Sequence, residues 1–182
     1  EVPENFRATG AALATLGETG GRHLIFIDSQ RFLQIARGRE IVWSSPERVG
    51  GSQATAEVIK SLSGGIRLTE RVSFEPNLYV ADLDGDGVDE VLLPRNVSPA
   101  GSFLNVGNFI GATGGEVLVL YRQGAGFSLR PLTAKLSGLV SGVGVTGKDP
   151  RSLFIVVARA NFPPLSGGKS QFLLSETAQP GK

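Results

Sequence analysis

Short apolar runs of four to seven residues, separated by polar turns that often contain glycine, recur along the whole chain. "HLIFID" (23–28), "RFLQIA" (31–36), "EIVW" (40–43), "LYVA" (78–81), "EVLL" (90–93), "EVLVLY" (116–121), "FSLRPL" (127–132), "SLFIVVA" (152–158) and "QFLLS" (171–175) are all of this kind. Their length and their content of Val, Ile, Leu and aromatics predict β-strands. Helical periodicity is nearly missing. Only "QATAEVIKSL" (53–62), with Ala54, Val58 and Leu62 at i, i+4 and i+8, predicts a helix. The pattern as a whole predicts an all-β fold.

The runs also repeat. "TLGETGGRHLIFI" (15–27), "DLDGDGVDEVLLP" (82–94) and "GVTGKDPRSLFIV" (144–156) superpose without gaps as small or apolar segment, polar glycine-containing loop and apolar strand. A recurring unit of about 60 residues made of three or four short strands is a signature of radial β repeats. The units expected are approximately 5–72, 73–135 and 136–176 within one domain spanning 1–182, with 177–182 as a tail. "ATGAALATL" (8–16) and "GLVSGVGVT" (138–146) are dense in small residues, which suits strands crowded near a central axis. The connections 95–115 and 161–168 are long, and long loops on a compact scaffold often carry function.

Composition narrows the chemistry. With 182 residues, 41% hydrophobic and 19% charged, the chain can bury a core of its own. A net charge of +1 and scattered basic residues provide no field for nucleic acid. Cysteine is absent, which removes disulfides, thiolate metal sites and a cysteine nucleophile. His23 is the sole histidine, so histidine-rich metal sites are excluded too. No apolar run approaches the roughly 18 residues of a membrane span. The chain starts at Glu1 rather than Met, which suggests a processed or trimmed product.

Against this balanced background, Asp82, Asp84, Asp86, Asp89 and Glu90 crowd into residues 82–90. The alternation of Asp82, Asp84 and Asp86, with Gly85 and Gly87 between and beside them, lets the backbone curl so that the carboxylates converge. A hard cation needs about 6 to 8 oxygens at roughly 2.3–2.6 Å, and Ca²⁺ tolerates the irregular shell of a short loop. The Val88 carbonyl and the Glu90 carboxylate are expected to complete the shell, with Asp89 pointing outward or supporting it. Zinc and copper are disfavoured without Cys or His nearby. An EF-hand would place its bidentate Glu twelfth from Asp82, but that residue is Leu93, inside an expected strand.

"DLDGDGVDEVLL" resembles the calcium loop of FG-GAP/VCBS-type repeats, the blades of integrin-α-like β-propellers. The resemblance implies a partial propeller of about three blades, or a piece of a larger one. It implies that Asp82, Asp84, Asp86 and Glu90 are side-chain ligands of Ca²⁺ and that Val88 offers its main-chain oxygen. The other two units have lost the acids: "LGETGGRH" keeps Glu18 and "VTGKDPRS" keeps Asp149. Closed propellers have about 4 to 8 blades, so three units leave the ring incomplete. The expected remedies are a missing propeller remainder, self-association, or the amino-terminal "EVPENFRAT" supplying an outermost strand to the third unit.

The functional expectation is a calcium-stabilised extracellular or periplasmic module that binds a protein or carbohydrate partner through its loops. Phe103, Phe109 and Phe162 are its candidate contact residues. No catalytic residues are expected. The alternative is the propeller of a carbohydrate-active enzyme such as a polysaccharide lyase, with Arg95 as the nearest base. Trp43 is read as packing between blades, His23 as a structural residue, and the sequon "NVS" (96–98) as a chance match.

Overall fold

The computed structural model describes residues 1–17, 21–52, 55–63, 66–97, 114–146, 152–160 and 168–176. The fold is all-β, with no helix among the described residues. Sheet 1 is the antiparallel meander β1 (Ala11–Thr15), β2 (Arg22–Ile27), β3 (Phe32–Arg37) and β4 (Glu40–Arg48). A separate hairpin follows, β5 (Thr55–Ser63) with β6 (Ile66–Ser73). Sheet 2 holds β7 (Tyr79–Ala81), β8 (Glu90–Val97), β9 (Gly114–Gln123) and β10 (Gly126–Pro131), again in chain order. Sheet 3 holds β11 (Leu139–Thr146), β12 (Ser152–Ala160) and β13 (Gly168–Glu176). Every apolar run named above falls on a strand. The arrangement is compatible with a propeller that is not closed.

Two expectations are corrected. Residues 55–63 form β5 rather than a helix, with Glu57 opposite Arg71 and Val58 opposite Glu70. The i, i+4, i+8 spacing fits the two-residue period of a strand as well as a helix, and Thr55, Val58 and Ile59 are β-branched. The following "IRLTERVS" supplies the pairing partner. The amino-terminal segment, in turn, adds no strand to sheet 3. It turns at Phe6, whose N–H bonds the Pro3 carbonyl, and lays the Phe6 ring edge-on against Phe26 of sheet 1 at 5.4 Å.

Sheet 2 is the middle layer. Val91, Leu93, Leu118 and Leu120 pack on Ala14, Ile25, Ile27, Leu33 and Ile35 of sheet 1. The opposite side of the same strands, Leu92, Val117 and Val119, packs on Val140, Leu153, Ile155 and Val157 of sheet 3. Burial on both faces explains why β8 and β9 read as continuous apolar runs rather than alternating ones. Each such side chain taken from water contributes about 1.5–3 kcal/mol. The small-residue segments are the inner strands: β1 lies against β7, and β11 lies against β8 and β9.

A polar seam ties the layers together. The buried Asn96, near the end of β8, donates from Nδ2 to Gly51 O (2.7 Å) and Val140 O (2.9 Å). Its Oδ1 accepts from Val140 N at 2.8 Å. One amide thus joins the exit of sheet 1, sheet 2 and the start of sheet 3. Gly115 makes room, since a Cβ there would collide with Asn96 Oδ1 and come within 3.0 Å of Val140 N. Alongside, the Arg31 guanidinium donates to the carbonyls of Val49, Gly50 and Asn96. The buried Glu75 carboxylate accepts from Gly51 N at 2.7 Å. The Asn96 amide is fully engaged, so a glycan on it is incompatible with this packing.

Replacing Asn96 with Ala strands the Val140 N–H and two carbonyls in the interior. An unsatisfied buried group costs about 1–3 kcal/mol, so Asn96→Ala is expected to destabilise by about 3 kcal/mol or more. For a chain of this size that lowers the melting temperature by roughly 6–12 °C, measurable by thermal denaturation. Asn96→Asp is expected to do no better, because it loses both donors and buries a charge.

Candidate metal centre

The acidic loop, residues 82–89, joins β7 to β8 along the inner side of sheet 2. Asp82 organises it: Oδ1 accepts from Gly85 N at 2.6 Å and Oδ2 from Gly87 N at 3.0 Å. Asp84 Oδ1 accepts from Asp86 N at 3.1 Å, and Asp86 Oδ1 accepts from Val88 N at 2.8 Å. Gly85 and Gly87 have φ of 84° and 86°, a left-handed conformation that a side chain would strain, and together they curl the loop.

The result brings Asp82, Asp84 and Asp86 together, with one oxygen of each within 4.8 Å of the others. Opposite ligands of a Ca²⁺ shell stand roughly 4.6–5.2 Å apart, and the spacing of the trio is compatible with that. Asp84 and Asp86 are exposed and Asp82 half-buried, which leaves the cluster open to solvent and its ions. Val88 lies in the same loop, half-buried, with its N–H engaged by Asp86. Oxygen donors without nitrogen or sulfur are the chemistry of a hard cation.

Glu90 stands apart from the trio. It is buried at the start of β8, and its Oε2 accepts from Leu83 N at 2.7 Å, clasping the base of the loop. Burial pushes its carboxyl up to about 7, with Asp84, Asp86 and Asp82 adding to the rise and the Leu83 N–H opposing it. Asp89 does a job that its position in the sequence did not disclose. Its Oδ2 accepts from Thr15 N at 2.6 Å, and its own N–H donates to Thr15 O at 2.8 Å. This pair fastens the loop to β1 of the neighbouring sheet. On the other side, the Tyr79 hydroxyl donates to Val145 O of β11 at 3.1 Å. The loop therefore sits where the inner strands of all three sheets meet.

The other candidates take their places around this. His23, which matches Glu90 in the repeat, is buried on β2 beside Phe127, with rings 6.5 Å apart. Arg37 Nη2 lies 3.3 Å from His23 Nε2 and can only donate, so the neutral ring accepts there. Burial, and then Arg37, hold the His23 pKa below its ordinary value, while the Gly21 backbone pulls the other way. Trp43 packs edge-on against Phe127 of sheet 2 at 6.1 Å, a contact between sheets. Arg95 lies inside β8, five residues and about 17 Å beyond Glu90. Its guanidinium donates to Glu116 Oε1 from Nε (3.0 Å) and Nη2 (2.8 Å), and to Glu47 from Nη1. Those carboxylates hold it away from the acidic loop. Phe103, Phe109 and Phe162, like Glu18 and Asp149, lie outside the described residues. Among the described residues no helix is long and apolar enough to cross a membrane.

No protein-family model matches this chain, and no curated protein matches it.

Glu90 gives the metal-free protein a pH signature. Its folded-state pKa stands above the ordinary value of 4.5, so between about 5 and 7 the folded protein keeps a proton that the unfolded chain has released. The stabilisation is complete below the ordinary carboxylate range and lost as pH rises through about 7. In chelator, the melting temperature is expected to fall from pH 5 to pH 8, and Glu90→Gln is expected to flatten that slope. An unchanged slope in Glu90→Gln would mean that another group titrates there.

Proposed function

We propose that this chain is a calcium-stabilised β-propeller-type module that binds a protein or glycan partner outside the cell or in the periplasm. The observation that carries the reading is the convergence of Asp82, Asp84 and Asp86 in a loop fastened to its neighbours through Asp89 and Glu90. In this reading Asp82, Asp84 and Asp86 hold the ion by side-chain oxygens, Val88 offers its carbonyl, and Glu90 holds the loop's base closed. The bound ion supplies positive charge that offsets the mutual repulsion of the carboxylates. Its role is structural, because it stiffens the turn between β7 and β8 and, through Asp89 and Thr15, the junction with sheet 1.

Extracellular calcium modules bind with dissociation constants of about 10⁻⁴–10⁻³ M, so the site loads in calcium-rich compartments rather than in cytosol. The same consideration supports the extracellular or periplasmic setting. Recognition of the partner falls to the long connections, with Phe103, Phe109 and Phe162 as the apolar contacts. Among the described residues Arg95, the base that the lyase alternative would use, is held by Glu116 and Glu47.

Calorimetry on chelator-treated protein tests the reading. About 5 mM Ca²⁺ acting on a site of that affinity stabilises the fold by roughly 1–2 kcal/mol. The expected rise in melting temperature is roughly 2–8 °C, abolished in Asp84→Asn/Asp86→Asn. No heat of binding at millimolar Ca²⁺, together with an unmoved melting temperature, would dispose of the calcium site.

A further inference from the structure

Both Asp–Gly links in the sequence, Asp84–Gly85 and Asp86–Gly87, lie in the acidic loop, and all four residues are exposed. Such a link has a reaction of its own. The glycine nitrogen is one bond short of a five-membered ring with the preceding carboxyl carbon, and no side chain shields it. Attack by Gly85 N forms a bond to Asp84 Cγ. The nitrogen gives up its proton, and one carboxyl oxygen leaves as water with that proton and one from solvent. Water then reopens the imide by breaking one of its two C–N bonds. Addition at Cγ restores aspartate, whereas addition at the Asp84 main-chain carbonyl leaves isoaspartate, whose chain runs through Cγ and gains one carbon. The water lost is regained, so the mass is unchanged and nothing is oxidised or reduced. Gly87 N and Asp86 offer the same reaction.

The loop holds both partners of that reaction elsewhere. Gly85 N donates to Asp82 Oδ1 at 2.6 Å, and Gly87 N donates to Asp82 Oδ2 at 3.0 Å. The two nitrogens able to attack are the two that one carboxylate engages, one on each oxygen. Asp84 Oδ1 accepts from Asp86 N and Asp86 Oδ1 from Val88 N, so each carboxyl reaches past its own glycine to the next residue. Ring closure sets Cγ over the glycine nitrogen, a rotation of the Asp–Gly peptide that breaks these bonds. Attack also strips the nitrogen of its proton, and beside the Asp82 carboxylate the negative charge so created is repelled. Crowding gives no protection, since a Cβ at Gly85 or Gly87 would meet nothing within 4 Å.

We propose that Asp84 and Asp86 are latent isoaspartate sites and that Asp82 is the positioning residue that restrains both. The extra main-chain carbon would enter a loop pinned at each end, by Leu83 N on Glu90 and by Asp89 on Thr15. Isoaspartate at either position therefore displaces the carboxylates that converge there. The restraint needs no bound ion, because every bond in it joins atoms of the chain, and it stands or falls separately from the calcium reading.

Ageing the whole chain in chelator, at neutral pH and body temperature, tests this by peptide mapping with electron-transfer fragmentation, which separates isoaspartate from aspartate at each position. A synthetic peptide of residues 78–94 is the unrestrained reference. In the wild type both links are expected to convert roughly 10-fold or more slowly than in the peptide, the factor that goes with a hydrogen bond to a charged group. Asp82→Ala should bring both links close to the peptide's rate. Asp82→Asn keeps one acceptor oxygen, so one link should stay slow while the other speeds up, a split that general loosening of the loop does not produce. Asp89→Asn loosens the tie to Thr15 without touching the Asp82 bonds, and both links should stay slow. Circular dichroism confirms that each variant is folded. A wild type that converts at the peptide's rate overturns the proposal, as does Asp82→Ala converting as slowly as the wild type. So do equal rates at the two links in Asp82→Asn, or an Asp89→Asn that releases both links as fully as Asp82→Ala.

Discussion

Everything in this fold leans on the burial of sheet 2 from both sides. A sheet with one wet face can stand alone on a single partner, but β8 and β9 carry apolar side chains on both faces. They must therefore be roofed twice. Sheet 1 covers Val91 and Leu93, and sheet 3 covers Leu92, so the stack of three layers follows from two strands. Hydrophobic burial is non-directional, however, and by itself it fixes neither the order of the layers nor their offset. The polar seam does that. Asn96 reaches the backbone of sheet 1's exit and of β11 with one amide group, and Arg31 and Glu75 bind the two glycines between. A shifted layer would leave these groups buried without partners.

The strands were legible because burial writes itself into local pattern. Runs such as "EVLVLY" and "SLFIVVA" are short, β-branched and bounded by turns, and all of them fall on strands. The hairpin β5–β6 misled for a definite reason: its even spacing of apolar residues satisfies two periods at once, and only the presence of a pairing partner separates them. The amino-terminal segment misled because its fate depends on Phe6 finding Phe26, a tertiary contact with no local signature. The seam was almost wholly illegible. Arg31, Glu75 and Asn96 are unremarkable as sequence, and their common purpose arises only when the layers meet. The glycine pair after Val49 was the one available hint, since Gly50 and Gly51 have positive φ and lie against Glu75 and Arg31.

The candidate site was legible in the same partial way. The alternation of Asp82, Asp84 and Asp86 with glycine foretold their convergence, because that much is local backbone geometry. The alternation also leaves Asp89 pointing outward or supporting the shell, but the partners that the two remaining acids take were not foretold. Glu90 clasps Leu83 from a buried position, and Asp89 faces away from the trio to bind Thr15. Both contacts belong to packing around the loop, so spacing alone cannot assign them.

That division bears on how the acidic turn persists at all. Five carboxylates in nine residues repel one another, yet the backbone N–H groups of Thr15, Leu83, Gly85, Asp86, Gly87 and Val88 all point at them. Each such bond fixes the direction of the carboxylate that accepts it. For Glu90 burial outweighs the single N–H it receives, and its pKa rises to about 7. The loop thus divides into an exposed rim, whose charge the backbone and solvent tolerate, and a buried floor, whose charge they do not. The floor connects to the hydrophobic layers directly, because Glu90 is followed by Val91 and Leu92, one facing each layer, and Leu83, whose N–H it holds, packs on the second layer. A cation at the proposed site would act on the rim, whereas the loop meets the strand on which both layers rest at the floor.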